Sequence, residues 1–175
     1  MKTSPSNGIR LLAIDPGNEL SGAVVIDTAT FRPLECAKIT NDRLEDYLAV
    51  SDGFDEVVIE MVASYGMAVG ATVFETCVAI GRFERILDSR FVDHDRLFRR
   101  DVKRNICGVV SAKDANVIQA LVDRFAYGEP NRGKGTAKAP GWFYGFKADI
   151  WQAYALAVTY EDLRRERRCQ RATSN

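Results

Sequence analysis

Short apolar runs that end in polar or turn residues predict strands, and apolar residues at three- and four-residue spacing predict helices. The predicted strands cover residues 9–14, 22–28, 33–39, 56–60 and 90–92. The predicted helices cover residues 41–50, 69–88, 96–107, 111–125 and 147–168. Because the first three strands follow one another and the later elements are mostly helices, the order predicts an α/β fold with a mixed five-stranded sheet flanked by helices.

The chain of 175 residues is expected to form a single domain, because one hydrophobic core can serve that length. Residues 1–7 are predicted to be a polar stub and residues 169–175 a polar tail. Residues 127–147 are rich in glycine, proline, lysine and aromatic residues, and are predicted to be a loop. Ser111 is predicted to cap the helix that follows it, in a capping pair with Asp114.

The distribution of charge is more informative than the net charge, which is zero. Residues 1–60 hold 5 Lys and Arg against 11 Asp and Glu, whereas residues 61–175 hold 19 against 13. This division suits a protein that gathers carboxylates at one site with basic side chains around it, although ordinary surface patchiness would look the same. No run of residues is long and apolar enough to span a membrane, so no membrane partner is expected. The four cysteines are far apart and there is one histidine, so we expect free thiols in a reducing cytoplasm and no structural zinc site.

Two carboxylates each close an apolar strand. Asp15 ends the first strand in an Asp-Pro-Gly turn, and Glu60 ends the strand at 56–60. If these strands are neighbours with aligned ends, the two carboxylates lie side by side, repel each other and raise each other's pKa. Divalent cations between them would make the arrangement favourable, and Mg²⁺ prefers such oxygen ligands. Each residue can equally be an exposed carboxylate at the end of a strand.

Asp149 is the third candidate, because it stands at the start of the last predicted helix. Gln152 follows three residues later and shares its face of the helix. A negative charge at this position also complements the helix dipole, which is a common use of aspartate. The residue alone therefore leaves both interpretations open.

Four segments of the chain resemble the RuvC-like family of Holliday junction resolvases. They are LLAIDPGNELSGAVVID (11–27), EVVIEMVASYGM (56–67), GVVSAKDANVIQAL (108–121) and KADIWQAYALAVTY (147–160). They occur in the order of the family and cover most of the chain, and the SAKDAN wording and the PGWFYG loop look most like the bacteriophage branch. The resemblance implies a ribonuclease H-like fold, a homodimer, and hydrolysis of DNA that depends on Mg²⁺ or Mn²⁺.

The resemblance also implies roles for individual residues. Asp15, Glu60 and Asp149 would be catalytic and would bind the metal, and Lys113 or its neighbour would lie near the scissile phosphate. The second acidic position of the family's last helix falls on Gln152, which is a weaker and uncharged metal ligand. Three carboxylates and water then suffice, or another acid such as Asp114 substitutes, or the protein binds junctions without cutting them. We interpret Asp114 first as a capping residue.

Basic residues supply the predicted DNA-binding surface. One helix-spaced stripe consists of Arg96, Arg99, Arg100, Lys103 and Arg104. Such a stripe neutralises backbone phosphates without reading bases, although nearby acids also allow an ordinary solvated face. The loop adds Arg132, Lys134, Lys138 and Lys147, together with aromatic residues that can stack on DNA or pack beneath the loop. Tyr65 has the same two interpretations: stacking on an unpaired base, or packing.

The expected partners are therefore four-way DNA junctions, and by extension flaps and replication forks, in the cytoplasm of a bacterial or phage-infected cell. A homodimer suits this task, because a junction has approximate two-fold symmetry and needs two symmetric nicks. An actin-like or sugar-kinase-like phosphotransferase is the alternative from a different class. It would require a second phosphate-binding turn later in the chain, and the sequence has none that we identify.

Overall fold

The computed structural model describes residues 8–64, 66 and 68–173. Its five-stranded mixed sheet has the order β3-β2-β1-β4-β5, which confirms the predicted architecture. The strands are β1 (Arg10–Asp15), β2 (Leu20–Asp27), β3 (Pro33–Thr40), β4 (Glu56–Met61) and β5 (Asp93–Phe98). The helices are α1 (Asn41–Val50), α2 (Ala71–Ser89), α3 (Arg99–Cys107), α4 (Asp114–Phe125) and α5 (Ala148–Thr173), with a short 3-10 helix at Pro130–Gly133.

The first three strands form an antiparallel meander, and β4 and β5 then add to the other side of β1 in parallel. The Asp-Pro-Gly sequence begins the tight β1–β2 connection, because proline and glycine favour a turn after an extended residue. Buried Asn41 fixes this turn: its amide nitrogen donates to the carbonyl oxygens of Gly17 and Asn18, at 3.0 and 3.1 Å. The end of β1 is therefore held rigidly.

Alternation along the strands divides the core into two layers. Leu11 and Ala13 of β1 pack on the side of the sheet that α5 covers, whereas Leu12 and Ile14 pack on the side of α1 and α2. From Ile150 to Glu161 every residue of α5 is buried, which makes this helix the centre of its layer. Because α5 lies against β1 and β2, its first turn reaches the edge of the sheet where β1 ends.

The fifth strand and the helix after it begin later than predicted. Residues 90–92 form the turn that ends α2, where Phe91 has a φ of 55°, and the strand is Asp93–Phe98. This strand is polar and lies at the edge of the sheet, so its hydrophobic pattern is weak. As a result α3 begins at Arg99, and Arg96 lies on β5, where its guanidinium pairs with Glu84 of α2. The predicted assignment of Arg96 to the helical stripe was wrong.

The ends of the last two helices also differ from the prediction. Lys113, not Ser111, is the N-cap of α4, and its backbone N–H donates to the side-chain oxygen of Asn116 at 2.9 Å. Helix α5 continues to Thr173, so residues 169–173 are helical instead of a polar tail. The predicted stub at residues 1–7 lies outside the described residues.

The loop between α4 and α5 is packed more tightly than its composition suggests. The backbone N–H of Phe143 donates to the carbonyl of Gly133 at 2.9 Å, and the rings of Phe143 and Phe146 are fully buried against α5. The predicted loop is therefore anchored by its own aromatic residues. All four cysteines are free, as predicted. Among the described residues, no helix combines the length and apolarity that crossing a membrane requires.

Candidate functional site

Pairing across the sheet brings a row of polar positions to the edge where β1 ends. Asp15 is opposite Gly22 of β2, and Gly22 is opposite Lys38 of β3. On the other side Ile14 is paired with Ile59, so Glu60 of β4 comes next to Asp15, one position further along both parallel strands. Residues paired across a sheet share a face, and these side chains point toward the side that α5 covers. The predicted apposition of the two carboxylates is thus present.

Asp149 reaches the same edge because Gly22 has no side chain. A Cβ at position 22 would lie 2.7 Å from the carbonyl oxygen of Asp149 and 2.8 Å from its carbonyl carbon. The first turn of α5 therefore rests directly on β2, between Asp15 and Lys38. The Nζ of Lys38 forms an ion pair with the Asp149 carboxylate. The three predicted carboxylates consequently surround one corner of the sheet.

Of the three carboxylates, Asp15 is the one whose negative charge is least balanced by a basic side chain. Burial first, and then the charges of Glu60, Asp149 and Asp114, raise the pKa of Asp15 from 3.8 to about 7, against the opposing charge of Arg99. Among the described residues, no side chain donates a hydrogen bond or an ion pair to the Asp15 carboxylate. A carboxyl group in these surroundings favours its neutral form unless a further cation is close.

Glu60 has a cation of its own. Burial raises the pKa of Glu60, while the charge and hydrogen bond of Arg99 act in the opposite direction. The Nη1 of Arg99 donates to Oε2 of Glu60 at 3.1 Å, and its Nη2 donates to Oδ1 of Asp114 at 2.9 Å. The Nζ of Lys103, one turn later on α3, lies 3.6 Å from the same oxygen of Asp114.

The α3 residues of the predicted basic stripe therefore fall into an inward-facing pair and an exposed pair. Arg99 and Lys103 are turned inward to the carboxylates, and their side chains are about one-fifth exposed. Arg100 and Arg104 are exposed, and their ion pairs are with Asp101 of the same helix, at 3.7 and 3.6 Å. Only the second pair is free to reach a phosphate on the surface without first leaving a carboxylate of the site.

Asp114 joins the site instead of capping α4 with its side chain. It is the first residue of the helix, and its carboxylate accepts from Arg99. Burial acts to raise the pKa of Asp114, but the hydrogen bonds and charges of Arg99 and Lys103 bring it below the ordinary value. Lys113 beside it is exposed, and the structure gives its side chain no contact with the carboxylates.

Gln152 lies one turn along α5 from Asp149 and is only 8% exposed. Its side-chain oxygen is buried and accepts no hydrogen bond from any described residue. A buried amide oxygen without a partner is costly, so it marks a position where a further donor or a cation would be favourable.

The other predicted DNA-binding residues lie on the loop or beyond it. Lys138 and Lys147 are exposed, and Lys134 is partly buried. Phe143 and Phe146 of the loop are buried, and Trp142 stacks on Phe125 at a centroid distance of 5.4 Å, whereas Tyr127 and Tyr144 are exposed. The loop thus presents its cations to the surface and keeps most of its rings in the core. Tyr65 lies outside the described residues.

The donor set fits a hard divalent cation. Its members are carboxylate oxygens and one amide oxygen, the ligand types that Mg²⁺ and Mn²⁺ prefer, with no thiolate or imidazole among them. In the described part of the chain, no three acidic, histidine or cysteine side chains already have the geometry that would hold an ion. Instead, Arg99 and Lys38 hold two of the carboxylates.

Comparison with solved structures identifies the fold of the chain. The structure is similar to Thermus thermophilus RuvC, with a TM-score of 0.62 and 18% identity over 86% of this chain and 92% of that chain. It is equally similar to T. thermophilus RuvC in complex with a Holliday junction substrate, with a TM-score of 0.63 and 14% identity over the same shares. The chain has the ribonuclease H-like fold of RuvC. No protein-family model and no curated protein sequence matches it, so the likeness shows the fold alone.

Lys38 and Gly22 are residues of this corner that were not predicted from the sequence. A signal for Lys38 existed, since alternation along the third strand puts it on the same face as Cys36, which packs against the α5 layer. The role of Gly22 depends on where α5 lies on the sheet, and no local pattern contains that information.

Proposed function

We propose that the protein is a metal-dependent, structure-selective endonuclease that resolves Holliday junctions and cuts related branched DNA during recombination and repair. The observation that carries the proposal is the pair Asp15 and Glu60, side by side at the ends of parallel strands beneath Asp149. In a RuvC-like fold this corner suits phosphodiester hydrolysis. Membership of the RuvC-like family and of its bacteriophage branch, and action in the cytoplasm, belong to the same proposal.

Asp15, Glu60 and Asp149 would hold Mg²⁺ or Mn²⁺, with the amide oxygen of Gln152 as a further ligand. The bound metal would supply activation of the attacking water and stabilisation of the charge that develops on the phosphate. The carboxylates orient this chemistry, and Lys113, at the N-cap of α4, stays a proposed neighbour of the scissile phosphate. Hydrolysis adds water across a phosphodiester bond and leaves 3′-hydroxyl and 5′-phosphate ends.

Exposed or partly exposed cations on α3 and on the loop before α5 would bind the arms of the junction. Arg100 and Arg104 extend from α3, and Lys134, Lys138 and Lys147 extend from the loop before α5. Contacts of this kind fix the register of DNA on the protein through its phosphates and carry little sequence information. Shape would therefore select the substrate, which suits a junction, a flap or a fork.

A homodimer would place two such sites on one junction, and α2 offers a surface for it. Phe74 and Val78 are 61% and 63% exposed and lie one turn apart on this helix. A Cβ at Gly81 would meet open space. If two copies of α2 pack antiparallel about an axis between Cys77 and Val78, each Phe74 lies opposite Gly81 of the partner subunit, where its ring has room.

The dimer is tested by the variant Phe74→Glu, with Phe91→Glu as the matched control, because Phe91 is exposed at a distant turn. Light scattering after size-exclusion chromatography should give a dimer for the wild type and for the control, and a monomer for Phe74→Glu. A wild type that is monomeric at all concentrations, or a Phe74→Glu variant that remains dimeric, would contradict this interface.

Gln152 supports a second candidate function: a junction-binding protein of the same fold with little or no cleavage. An amide in place of a carboxylate reduces the negative charge that would hold a second cation. Among the described residues, no three acidic, histidine or cysteine side chains are arranged to hold an ion together. This candidate predicts the same binding to branched DNA and no metal-dependent nicks.

Both candidates are tested on a labelled synthetic four-way junction with Mg²⁺ or Mn²⁺. A linear duplex of the same sequence and the variant Asp15→Asn serve as controls. The nuclease proposal predicts nicks in the junction alone, which disappear in Asp15→Asn while binding persists. Tight junction binding with no nicks in either metal would reject the nuclease and favour the binding protein. Equal cutting of the linear duplex would reject structure selectivity.

A further inference from the structure

Two basic residues lie where a divalent cation would be expected. Lys38 is paired with the carboxylate of Asp149, and Arg99 donates to the carboxylate of Glu60. Both positions follow from the topology of the sheet. Lys38 stands two strands from Asp15 in the same cross-strand row, and Arg99 is the first residue of α3, directly after the strand that pairs with β4.

Resting on the nuclease function above, we propose that Lys38 and Arg99 are exchangeable counter-ions of the carboxylate site. Without a divalent cation they neutralise Asp149 and Glu60, and when the cation binds they release these carboxylates and turn to the phosphate of bound DNA. They would thus be positioning residues that couple metal binding to DNA binding.

The surroundings of Arg99 suit such an exchange. Its guanidinium divides its hydrogen bonds between Glu60 at 3.1 Å and Asp114 at 2.9 Å. Asp114 is on another element, and its carboxylate is 58% exposed, compared with 13% for Glu60. Asp114 can therefore keep one end of the guanidinium at the rim of the site when the other end leaves Glu60. Lys103 stays beside Asp114 and supports this arrangement.

Lys38 has a simpler arrangement. Asp149 is the carboxylate with which it pairs among the described residues, and both side chains are a little over one-third exposed. An ion pair at this exposure is worth little, so its exchange for a phosphate oxygen costs little. Because Gly22 has no side chain, the first turn of α5 lies directly on β2 beside Lys38, and this brings the Asp149 carboxylate within reach of the lysine.

The two basic residues and the metal ion would compete for the same carboxylate oxygens. Replacing either basic residue should therefore change metal binding and junction binding in opposite directions. The positive charge of Lys38 or Arg99 opposes the entry of a divalent cation, so removal of that charge should tighten metal binding in the DNA-free protein. The same removal takes away a phosphate partner, so it should weaken junction binding. A residue with a purely structural role would weaken both when it is replaced.

The test is calorimetric titration with Mn²⁺ alone on Lys38→Met and Arg99→Met, followed by junction binding in a buffer containing Ca²⁺ in place of Mn²⁺. Arg100→Met is the matched control, because it removes an exposed cation next to Arg99 that touches no carboxylate of the site. We expect Mn²⁺ to bind about three- to tenfold more tightly to the two variants and unchanged to the control. Junction binding should weaken in all three.

Unchanged or weaker Mn²⁺ binding in both folded variants would overturn the exchange and leave the nuclease proposal standing, provided that the wild type binds Mn²⁺ and cuts. A wild type that binds no Mn²⁺ would overturn both proposals. If Arg99→Met does not fold because Glu60 and Asp114 lose their partner, Lys38→Met decides the question. Arg99→Lys then serves as a second variant at that position, for which we expect Mn²⁺ affinity close to that of the wild type.

Discussion

The replacement Asp15→Asn should stabilise the metal-free protein near pH 8. Asparagine has nearly the shape of aspartic acid but cannot ionise, so the variant removes a charge that this corner of the sheet disfavours. The folded protein keeps a proton on Asp15 up to about pH 7, whereas the unfolded chain releases it near 3.8. Between these values the unfolded state binds fewer protons, and the free energy of unfolding of the wild type falls as the pH rises.

The size of the effect follows from the same pKa. A rise from 3.8 to about 7 corresponds to an upper limit of about 4 kcal/mol, since each pKa unit is about 1.4 kcal/mol. Asp15 lies at the carboxyl end of the central strand β1 and is not fully buried, so we take about half of this limit. We therefore expect Asp15→Asn to gain about 2 kcal/mol at about pH 8 and almost nothing at about pH 4.

The assay is urea denaturation with a metal chelator, at both pH values. Asp55→Asn is the matched control, because the backbone N–H and the guanidinium of Arg10 lower the pKa of Asp55. That variant should lose stability at about pH 8 instead of gaining it. With Mn²⁺ present the order should reverse at position 15, since only the wild type gains stability from a bound cation. An Asp15→Asn variant that is less stable than the wild type without metal would refute the reasoning.

Three further variants test the geometry around this corner. Gly22→Ala places a methyl group against the first turn of α5, and thermal denaturation should show a loss of about 1–3 kcal/mol. Gln152→Asp adds a carboxylate where a buried oxygen lacks a partner, so calorimetry should show tighter Mn²⁺ binding. Removal of both Arg100 and Arg104 should reduce the slope of log binding constant against log salt concentration by about 2, measured by fluorescence anisotropy of a labelled junction.

Each of these variants has a control that changes the same chemistry elsewhere. Gly81→Ala lies where a Cβ meets open space within one subunit. Measured in the Phe74→Glu background, which lacks the proposed α2 interface, it should be neutral or stabilising, so equal losses at both glycines would contradict the close approach. Gln152→Asn should not tighten Mn²⁺ binding, because it adds no charge. Removal of Arg167 and Arg168 at the exposed end of α5 should change the salt slope less than the α3 pair does, and an equal change would reject the α3 surface.

The three carboxylates of the site could be predicted from local patterns in the sequence. Asp15 and Glu60 could be predicted as strand-end residues because a short apolar run ends at each. Neighbouring parallel strands end on the same side of a sheet, so the two carboxylates were expected to lie close together. Asp149 could be placed at the start of α5 from the helical pattern alone. The order of the elements predicted the mixed sheet, since strands and amphipathic helices can be told apart by their different periodicities.

The cations of the site could not be predicted in the same way. Because α3 begins at Arg99, Arg96 lies on β5. This polar edge strand has a hydrophobic pattern that resembles the start of a helix as much as a strand. Whether Arg99 faces outward or toward Glu60 depends on the angle at which α3 leaves the sheet. Gly22 and Lys38 acquire their roles only when α5, more than 100 residues later in the chain, packs against β2 and β3.

The most direct test of the central claim is the rate at which a preformed protein–junction complex is nicked after Mn²⁺ is added. The wild type, Glu60→Gln and Asp149→Asn are compared under single-turnover conditions, with junction affinity and folding measured on the same samples. We predict that each variant loses at least about 10³-fold in rate, because each removes a carboxylate that we propose as a metal ligand. Affinity for the junction should stay close to that of the wild type. Variants that fold, bind and cut at the wild-type rate would contradict the assignment of this corner as the nuclease site.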